Sequence, residues 1–303
     1  MENTHSCESK SCTQERKTNF VEILRSTPVE TVCPNFFVLK HANGCTFSCS
    51  YCYLKSSFSS LKEERAFVNT DKMFNEVRRW IEQDDLESHV LNSGNLSDSL
   101  VFEKRRPIMK ELVEIFRQEA EAKGRPHSLL LVTKGGTKEC QPLFEIEPCA
   151  NVIISFSINS EEAAKEHEKG AASATDRVEA ASRLKSQGWR VRIRIDPMIK
   201  GFDYSDIIEK IRRMEPERVT LGTLRSEWNL FRYVDDDGIF SELEKPDNKR
   251  ALARYSKEDR IDIYRPAVEA LAEICPVGLC EETPDIWDAL GLDTEAKSCN
   301  CGE

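Results

Sequence analysis

The chain has 303 residues, of which 39% are apolar and 32% charged, so it can bury a core and stay soluble. Its 43 basic and 53 acidic residues give a net charge of −10, which argues against bulk electrostatic binding to a phosphate backbone but allows a local basic groove. No apolar run approaches the roughly 18 residues of a membrane helix, and the first five residues show no signal peptide. We therefore expect a cytoplasmic protein without membrane contact.

Strands and helices are predicted to alternate along residues 31–222, after a polar extension over residues 1–30 with a helix at 15–24. The six predicted strands cover residues 36–39, 90–91, 129–132, 152–158, 191–195 and 219–221. Helices are predicted between them, from about residues 73, 107, 161, 175 and 203. Thr175 or Asp176 would cap one of these helices and Gly188 would stop it. This order predicts an α/β fold, a partial (β/α)6 barrel of the TIM type.

Residues 223–303 would then form a C-terminal extension that carries cysteines and serves as a substrate or auxiliary region. Its predicted helices lie near residues 261–274 and 284–290. Twelve cysteines in a reduced compartment are poor candidates for disulfides, and such a count favours metal or cluster ligation.

Three cysteines, Cys45, Cys49 and Cys52, follow the first predicted strand directly, at the carboxyl mouth of the barrel. Spacings of three and two residues allow a tight loop to point three sulfurs at one centre. Thiolates are the usual ligands of iron–sulfur clusters, and three of them leave one iron of a cubane open. A zinc site or three unrelated thiols are the alternatives.

The Cys-x3-Cys-x2-Cys loop, with Tyr51 before its last cysteine, resembles the cluster loop of the radical S-adenosylmethionine (SAM) superfamily. The segments Val-Thr-Lys at 132–134, Ser-Phe-Ser-Ile-Asn-Ser at 155–160 and Glu-His-Glu-Lys-Gly at 166–170 resemble spore photoproduct lyase and its relatives. The resemblance covers roughly residues 36–200. It implies a [4Fe–4S] cluster whose open iron binds SAM, and reductive cleavage of SAM to a 5′-deoxyadenosyl radical that abstracts hydrogen from a substrate.

The resemblance also implies roles for single residues. Lys134 would pair with the carboxylate of SAM, and Ser97, Ser157 and Tyr53 would form hydrogen bonds with the cofactor. Asn95 would accept a hydrogen bond from the cofactor amine through its side-chain carbonyl. Without the resemblance, the same residues would be interpreted as a surface lysine, strand-end hydroxyls and a packed tyrosine.

Two features depart from spore photoproduct lyase. Asn95 stands where the lyase has its hydrogen-donating cysteine, and an amide has no weak S–H bond. The basic, aromatic hairpin of the lyase has no counterpart, because residues 234–247 carry Asp235, Asp236, Asp237, Glu242 and Glu244. We therefore expect a rearrangement or group transfer on a small anionic or peptide substrate, not photoproduct repair, with nucleic acid unlikely as a partner.

Tyr51 and Tyr53, which flank the last cluster cysteine, and Cys140, after the third strand, are the candidate catalytic residues. Cys140 or a thiol of the C-terminal tail could donate hydrogen or bind substrate as a soft ligand. The expected electron donor is a flavodoxin or ferredoxin.

Residues 190–196 alternate between arginine and apolar residues, which places Arg190, Arg192 and Arg194 on one face of a strand. The apolar face would pack under the helices, so the arginines would point into the barrel. Buried guanidinium groups need anionic partners. These are either barrel carboxylates such as Asp98 or an anionic substrate group, which makes Arg192, Arg194 and Asp196 the candidate substrate-binding residues.

Two close pairs of cysteines mark the C-terminal extension, Cys275 with Cys280 and Cys299 with Cys301. They could close around a second iron–sulfur cluster or another metal. Inert thiols in a frayed tail or buried strand residues are the alternatives, and Cys7 and Cys12 have no predicted role.

The sequence thus predicts a cytoplasmic radical SAM enzyme that cleaves SAM and acts on a small molecule or peptide. Two competing classes stay open: a nucleic-acid modifying or repair enzyme of the same superfamily, and a non-catalytic iron–sulfur or zinc protein. Salt-dependent DNA binding would favour the first, and absence of 5′-deoxyadenosine after anaerobic reconstitution would favour the second.

Overall fold

Eight strands form the main sheet of the computed structural model, which describes residues 14–25, 28, 30–61, 63–234, 238–296 and 298–302. The strands within these ranges are β1 (Val21–Leu24), β2 (Phe36–Leu39), β3 (Ala42–Asn43), β4 (Ser48–Cys49), β5 (Arg65–Ala66), β6 (Val90–Asn92), β7 (Ser128–Thr133), β8 (Val152–Ser157), β9 (Glu168–Lys169), β10 (Arg190–Met198), β11 (Val219–Thr223), β12 (Arg225–Ser226), β13 (Ala253–Arg254) and β14 (Val277–Leu279). The order in the main sheet is β1-β2-β6-β7-β8-β10-β11-β14. All neighbours in it are parallel except the antiparallel pair β1 and β2.

Helices connect the parallel strands and cover the outside of the sheet. They are α1 (Leu54–Ser57), α2 (Thr70–Ile81), α3 (Met109–Phe116), α4 (Gln141–Phe144), α5 (Glu161–His167), α6 (Ala174–Ser186), α7 (Ser205–Met214), α8 (Lys257–Leu271) and α9 (Pro284–Ala289). A π-helical turn, Arg117–Glu121, continues α3, and short 3₁₀ turns lie at Leu230–Arg232, Gly238–Phe240 and Thr294–Ala296. No helix in the described ranges is long and apolar enough to cross a membrane.

The partial barrel predicted from the sequence is confirmed. The six predicted strands are β2, β6, β7, β8, β10 and β11, and they lie side by side in chain order. The C-terminal extension adds a seventh parallel strand, β14, which pairs with β11 through Val219 and Val277. Parallel strands end at the same edge of the sheet, so the loops after β2, β6, β7, β8, β10 and β14 meet at one mouth.

The predicted helix at residues 15–24 is wrong, because Val21–Leu24 is a strand at the edge of the sheet. It pairs with β2 in the register Val21 to Leu39, and its start is held by Glu76 of α2, whose carboxylate accepts the backbone N–H groups of Phe20 and Val21. This short apolar run is compatible with either structure, and its partners on β2 and α2 decide for the strand.

The α6 helix begins one residue earlier than expected. Ser173 is its N-cap, and its hydroxyl accepts the N–H of Asp176 at 3.1 Å, so neither Thr175 nor Asp176 caps the helix. The predicted stop is present, since Gly188 follows the helix with a φ of 99°, a left-handed conformation that suits glycine.

The C-terminal tail enters the amino-terminal end of the barrel. Arg192 of β10 is fully buried, and it pairs with Glu217 and donates hydrogen bonds to the carbonyl oxygens of Asn300 and Gly302. Ser298 donates to the carbonyl oxygen of Val277 at 3.0 Å. The tail therefore fills the part of the barrel opposite the mouth. Residues 1–13, which include Cys7 and Cys12, and residues 235–237 lie outside the described ranges.

Candidate cluster and cofactor site

The loop of three cysteines follows β2 and β3 and is anchored at both ends. Gly44 opens it with a φ of 80°, and its N–H donates to the carbonyl oxygen of Leu96 at 3.0 Å. Cys49 lies in β4, which pairs antiparallel with β9 so that Cys49 faces Glu168. The N–H of Cys52 donates to the carbonyl oxygen of Cys49 at 3.3 Å, which turns the chain tightly between the two cysteines.

The three thiols share one electrostatic environment. Burial raises the pKa of Cys49 to about 12 and also raises the pKa of Cys45 and of Cys52. Cys52 interacts with both other thiols, and the ammonium of Lys134 lowers the pKa of Cys49 and Cys52. Within the described ranges, no three His, Cys, Asp or Glu side chains are arranged as ligands of one metal ion. A cubane of four irons occupies more volume than one ion, so the cysteine sulfurs that bind a cubane lie further apart than the ligands of a single ion.

Lys134 lies directly after β7 and reaches across to β8. Its Nζ donates to Ser157 Oγ at 2.6 Å, lies 3.2 Å from Glu168 Oε1 and stands 5.7 Å from the centre of the Tyr51 ring. The backbone N–H of Lys134 donates to the Asp98 carboxylate at 2.7 Å. Main chain and side chain are thus both fixed beside the cysteine loop.

Glu168 is fully buried at the centre of this network. Its carboxylate pairs with Lys134 and with Arg177, whose Nη2 lies 2.5 Å from Oε2, and it accepts a hydrogen bond from the Tyr51 hydroxyl. Burial by itself would raise the pKa of Glu168, but the charges of Lys134 and Arg177 and the Tyr51 hydrogen bond lower it to about 2. The group is therefore a carboxylate at neutral pH.

The loop after β6 contributes Asn95 and Ser97. The Ser97 hydroxyl is buried and has no hydrogen-bond partner among the described residues, which is unusual for a buried polar group and fits a site that a bound molecule completes. The backbone carbonyl oxygen of Asn95 accepts a hydrogen bond from the hydroxyl of Tyr53, a residue that is 41% exposed. A polar cradle therefore lies beside the three cysteines.

Cys140 is a core residue. It is fully buried in the main hydrophobic core at the start of α4, and burial raises its pKa. The structure therefore gives no support to Cys140 as a hydrogen donor or substrate ligand, because core side chains surround it.

Arg194 and Asp196 lie together near the mouth, at the end of β10. The Asp196 carboxylate pairs with Arg194 and, at 2.7 Å, with Arg225, and the Cys280 thiol lies 3.3 Å from Arg194 and 3.2 Å from Arg225. Burial opposes ionisation of Asp196, but these two guanidinium groups hold its pKa well below the usual range. Glu281 pairs with Arg225 at 2.8 Å, so the charges of this group balance.

Arg192 is placed differently from the expectation. Glu217 and the tail carbonyl groups occupy its guanidinium at the closed end of the barrel, so it cannot reach a substrate at the mouth. Asp98 is not the carboxylate that pairs with these arginines. Glu217 pairs with Arg190 and Arg192, and Asp196 pairs with Arg194. The interpretation of Arg192 as a substrate ligand is therefore corrected.

The four C-terminal cysteines do not meet at one centre. Cys275 precedes β14 and packs in the main core, whereas Cys280 follows β14 at the mouth. Cys299 and Cys301 lie in the tail. Burial raises the pKa of Cys33, and the charges of Cys301, Glu281 and Cys299 raise it further. The predicted grouping is corrected, because Cys33 lies near the tail thiols and Cys275 does not share their surroundings.

Three site residues were missed in the sequence: Glu168, Arg177 and Arg225. Glu168 and Arg177 belong to the segments that carry the family resemblance, so a buried pair between them could have been sought there. Arg225 had no local signal, because its partner Asp196 lies 29 residues earlier in the chain.

The partial barrel with three closely spaced cysteines at its mouth places the chain in the radical SAM class of proteins. A family model described as spore photoproduct lyase matches residues 6–249. The spore photoproduct lyase of Clostridium acetobutylicum is 24% identical over 213 residues, which are 70% of this chain and 61% of that protein. The chain therefore spans less than two thirds of that relative's length. It belongs to the spore photoproduct lyase family.

Solved structures of spore photoproduct lyases share the fold. A single-residue variant superposes with a TM-score of 0.71 at 17% identity, covering 89% of this chain and 81% of that one. Another variant, with bound AdoMet and dinucleoside spore photoproduct, superposes with a TM-score of 0.68 at 18% identity, covering 82% of this chain and 76% of that one. The fold and family predicted from the sequence are thus confirmed.

The substrate predicted from the sequence is wrong. The sequence predicted a small anionic or peptide substrate and excluded photoproduct repair. The curated relatives, however, are spore photoproduct lyases, and one solved relative is complexed with dinucleoside spore photoproduct. The expectation that nucleic acid is an unlikely partner is corrected for the same reason. The amide at Asn95 and the acidic residues of segment 234–247 therefore do not exclude the family's chemistry.

Proposed function

We propose that this chain is a radical SAM enzyme that acts on a photoproduct or related lesion in a nucleic acid. The observation that carries the proposal is the meeting of Cys45, Cys49 and Cys52 with Lys134 at the mouth of the barrel, inside the segment that the family model matches. The chain covers only 53–61% of its curated relatives, so activity and substrate are proposed from this site.

In this proposal, the three cysteines hold a [4Fe–4S] cluster and leave one iron for SAM. When bound, the cluster supplies the electron that splits SAM to methionine and a 5′-deoxyadenosyl radical. Lys134 pairs with the SAM carboxylate, and Ser157 orients Lys134 through the 2.6 Å hydrogen bond between them. The unpartnered hydroxyl of Ser97 would complete the cradle, and the side-chain carbonyl of Asn95 would accept a hydrogen bond from the cofactor amine.

The substrate would lie on the mouth side of the cofactor, against Arg194 and Asp196. The charges of Arg194, Asp196, Arg225 and Glu281 sum to zero, so these residues would contact a substrate through hydrogen bonds of fixed direction and not through net charge. Tyr53, partly exposed beside Asn95, would cover the cofactor.

The regional roles follow from this arrangement. Residues 31–222 would bind the cofactor, and residues 223–303, which supply Arg225 and Cys280 to the mouth, would complete the substrate side. A flavodoxin or ferredoxin would supply the electron in a cytoplasmic setting, and the polar residues 1–30 have no proposed part in the chemistry.

The test is anaerobic reconstitution with iron and sulfide, followed by dithionite, SAM and dinucleoside spore photoproduct. We expect about four irons per chain, formation of 5′-deoxyadenosine and conversion of the photoproduct. A Cys49→Ala variant should lose both products, and a Cys275→Ala variant is the matched control because Cys275 lies in the core away from the loop.

Each result has a separate meaning. Formation of 5′-deoxyadenosine without any conversion of the photoproduct would overturn the substrate while supporting the cofactor chemistry. Failure of the wild-type protein to assemble a cluster, or to cleave SAM over several hours, would overturn the whole proposal.

A further inference from the structure

The ammonium of Lys134 is held at one point by partners on three other segments of the chain. Ser157 at the end of β8 accepts one hydrogen bond, Glu168 of β9 provides a carboxylate at 3.2 Å, and the ring of Tyr51 lies beneath. A free lysine side chain has four rotatable bonds and loses up to about 2 kcal/mol of rotamer entropy when it is ordered. Partners that fix it beforehand remove that cost from binding.

Glu168 is the partner whose position is best determined. Its side chain is fully buried, and Arg177 fixes one of its oxygens. Arg177 is itself fully buried and held by main-chain groups, because Nε donates to the carbonyl oxygen of Ala172 at 2.9 Å and Nη1 to that of Ser157 at 3.0 Å. The α6 helix, through Arg177, thus fixes the carboxylate that fixes Lys134.

The backbone of Glu168 holds the other half of the site. β9 pairs with β4, so that Glu168 faces Cys49, and the carbonyl oxygen of His167 accepts the N–H of Ser50 at 2.8 Å. The hydroxyl of Tyr51, between two of the three cysteines, donates to the same carboxylate. One residue therefore contacts both the loop that would carry the cluster and the lysine that would meet the cofactor.

The charges of the network leave one positive charge over. Lys134 and Arg177 are cations, and Glu168 is the carboxylate between them. The excess positive charge lies beside Cys49 and Cys52, where an anionic cluster and the SAM carboxylate would be. Loss of the Glu168 charge would leave two buried cations without their shared anion, and the flexible one, Lys134, would move.

We propose that Glu168 is a positioning residue of the cofactor site, which sets the distance between the cysteine loop and the Lys134 ammonium. The proposal rests on the proposed function for its cofactor and adds a residue that would act through its neighbours. Its carboxylate acts through Lys134 and Tyr51, and its backbone acts through Cys49.

The first test uses the protein as purified and needs no cofactor. Brief acetylation with an N-hydroxysuccinimide ester, read by mass spectrometry, measures the reactivity of Lys134. We expect Glu168→Gln to raise the rate of Lys134 acetylation at least tenfold, because the carboxylate no longer holds the ammonium. Glu162→Gln is the control, because it makes the same substitution at an exposed glutamate on the neighbouring α5, and it should leave that rate unchanged.

The second test uses the reconstituted protein. Equilibrium dialysis with labelled SAM should show a dissociation constant at least tenfold higher for Glu168→Gln than for wild type, with the same iron and sulfide content per chain. The electron paramagnetic resonance signal of the reduced cluster should respond less to added SAM. If Glu168→Gln does not fold, Glu168→Asp keeps the charge with a shorter side chain and should weaken SAM binding at least threefold.

The outcomes separate the two proposals. Equal acetylation of Lys134, or equal SAM affinity in wild type and variant, overturns the role of Glu168 while the proposed function stands. A wild-type protein that assembles no cluster or binds no SAM overturns the proposed function, and the cofactor role of Glu168 with it. Loss of iron in Glu168→Gln with unchanged SAM affinity per cluster would also overturn the positioning of Lys134.

Discussion

Arg192 in β10 donates a 2.7 Å hydrogen bond to the carbonyl oxygen of Asn300, which is 108 residues later in the chain. The guanidinium group is fully buried, and its remaining contacts go to Glu217 and Gly302. A buried cation is stable only with its partners in place, so the C-terminal tail is part of the barrel and closes the end opposite the mouth.

Arg192→Met should lower the free energy of unfolding by about 1–3 kcal/mol, because it leaves the tail carbonyl groups of Asn300 and Gly302 without their buried donor, while Glu217 keeps Arg190. Urea unfolding of the apo protein measures this change. Carboxypeptidase digestion followed by mass spectrometry should also remove the tail faster from the variant. Arg212→Met, an exposed change on α7, should cost less than about 0.5 kcal/mol, and equal costs for both variants would contradict the prediction.

Gly278 in β14 leaves room for the tail. A Cβ at this position would stand 2.5 Å from the backbone nitrogen of Cys299 and 2.5 Å from the carbonyl carbon of Ser298. Gly278→Ala should therefore destabilise the full chain by about 1–3 kcal/mol, since backbone atoms must move. In a chain shortened to residue 296, the same change should cost almost nothing. Thermal unfolding of all four proteins checks this, and an equal cost in both lengths would show that the tail is not the cause.

The pH dependence of stability should carry the signature of His41. Burial and then the charge of Arg106 lower its pKa from 6.5 to about 3, and Nδ1 accepts from Arg106 at 2.9 Å while Nε2 donates to the carbonyl oxygen of Ser93 at 3.1 Å. The unfolded chain takes up a proton below pH 6.5 and the folded chain does not. Stability from this group is thus present above pH 6.5 and falls by up to about 1.4 kcal/mol per pH unit as the pH drops toward 3.

A His41→Gln variant keeps a donor for Ser93 and removes the titration. Urea unfolding at pH 7, 6 and 5 should show a shallower loss of stability in the variant than in the wild type. Parallel curves would mean that His41 is protonated in the folded protein at these pH values.

Glu103 should affect the pH dependence of stability in the direction opposite to that of His41. Burial raises its pKa from 4.5 to about 7, although its carboxylate accepts the N–H groups of Ile108 and Met109 at the start of α3. The folded chain then holds a proton that the unfolded chain has lost. Stability from this group is full below pH 4.5 and falls by about 3 kcal/mol as the pH rises through 7. Glu103→Gln should remove this fall, as denaturant unfolding between pH 5 and 8 would detect; a variant that loses stability as steeply as the wild type would refute it.

Local sequence patterns were sufficient to predict elements whose structure depends on residues close to one another in the chain. Apolar, β-rich runs such as residues 152–157 are buried on both faces of a parallel sheet, so they stand out without knowledge of their partners. The helix prediction for residues 21–24 was wrong because an edge strand is recognised only with its partner. Only the contacts with Leu39 and Glu76 distinguish this strand from a helix.

The substrate prediction failed for a related reason. Asn95 is one side chain in a site assembled from many loops, and its identity does not specify what the whole mouth accepts. The contacts of Asp196 with Arg225, and of Glu168 with Arg177, were equally invisible locally.

The sequence by itself determined the alternating strands, the barrel class and the loop of three closely spaced cysteines, because each depends on residues near one another in the chain. Tertiary structure alone decided which anion meets each arginine, that Arg192 binds the tail and that Glu168 joins Cys49 to Lys134. Those partners lie up to 119 residues apart, as Cys49 and Glu168 do, and their distance and burial arise only when the sheet closes.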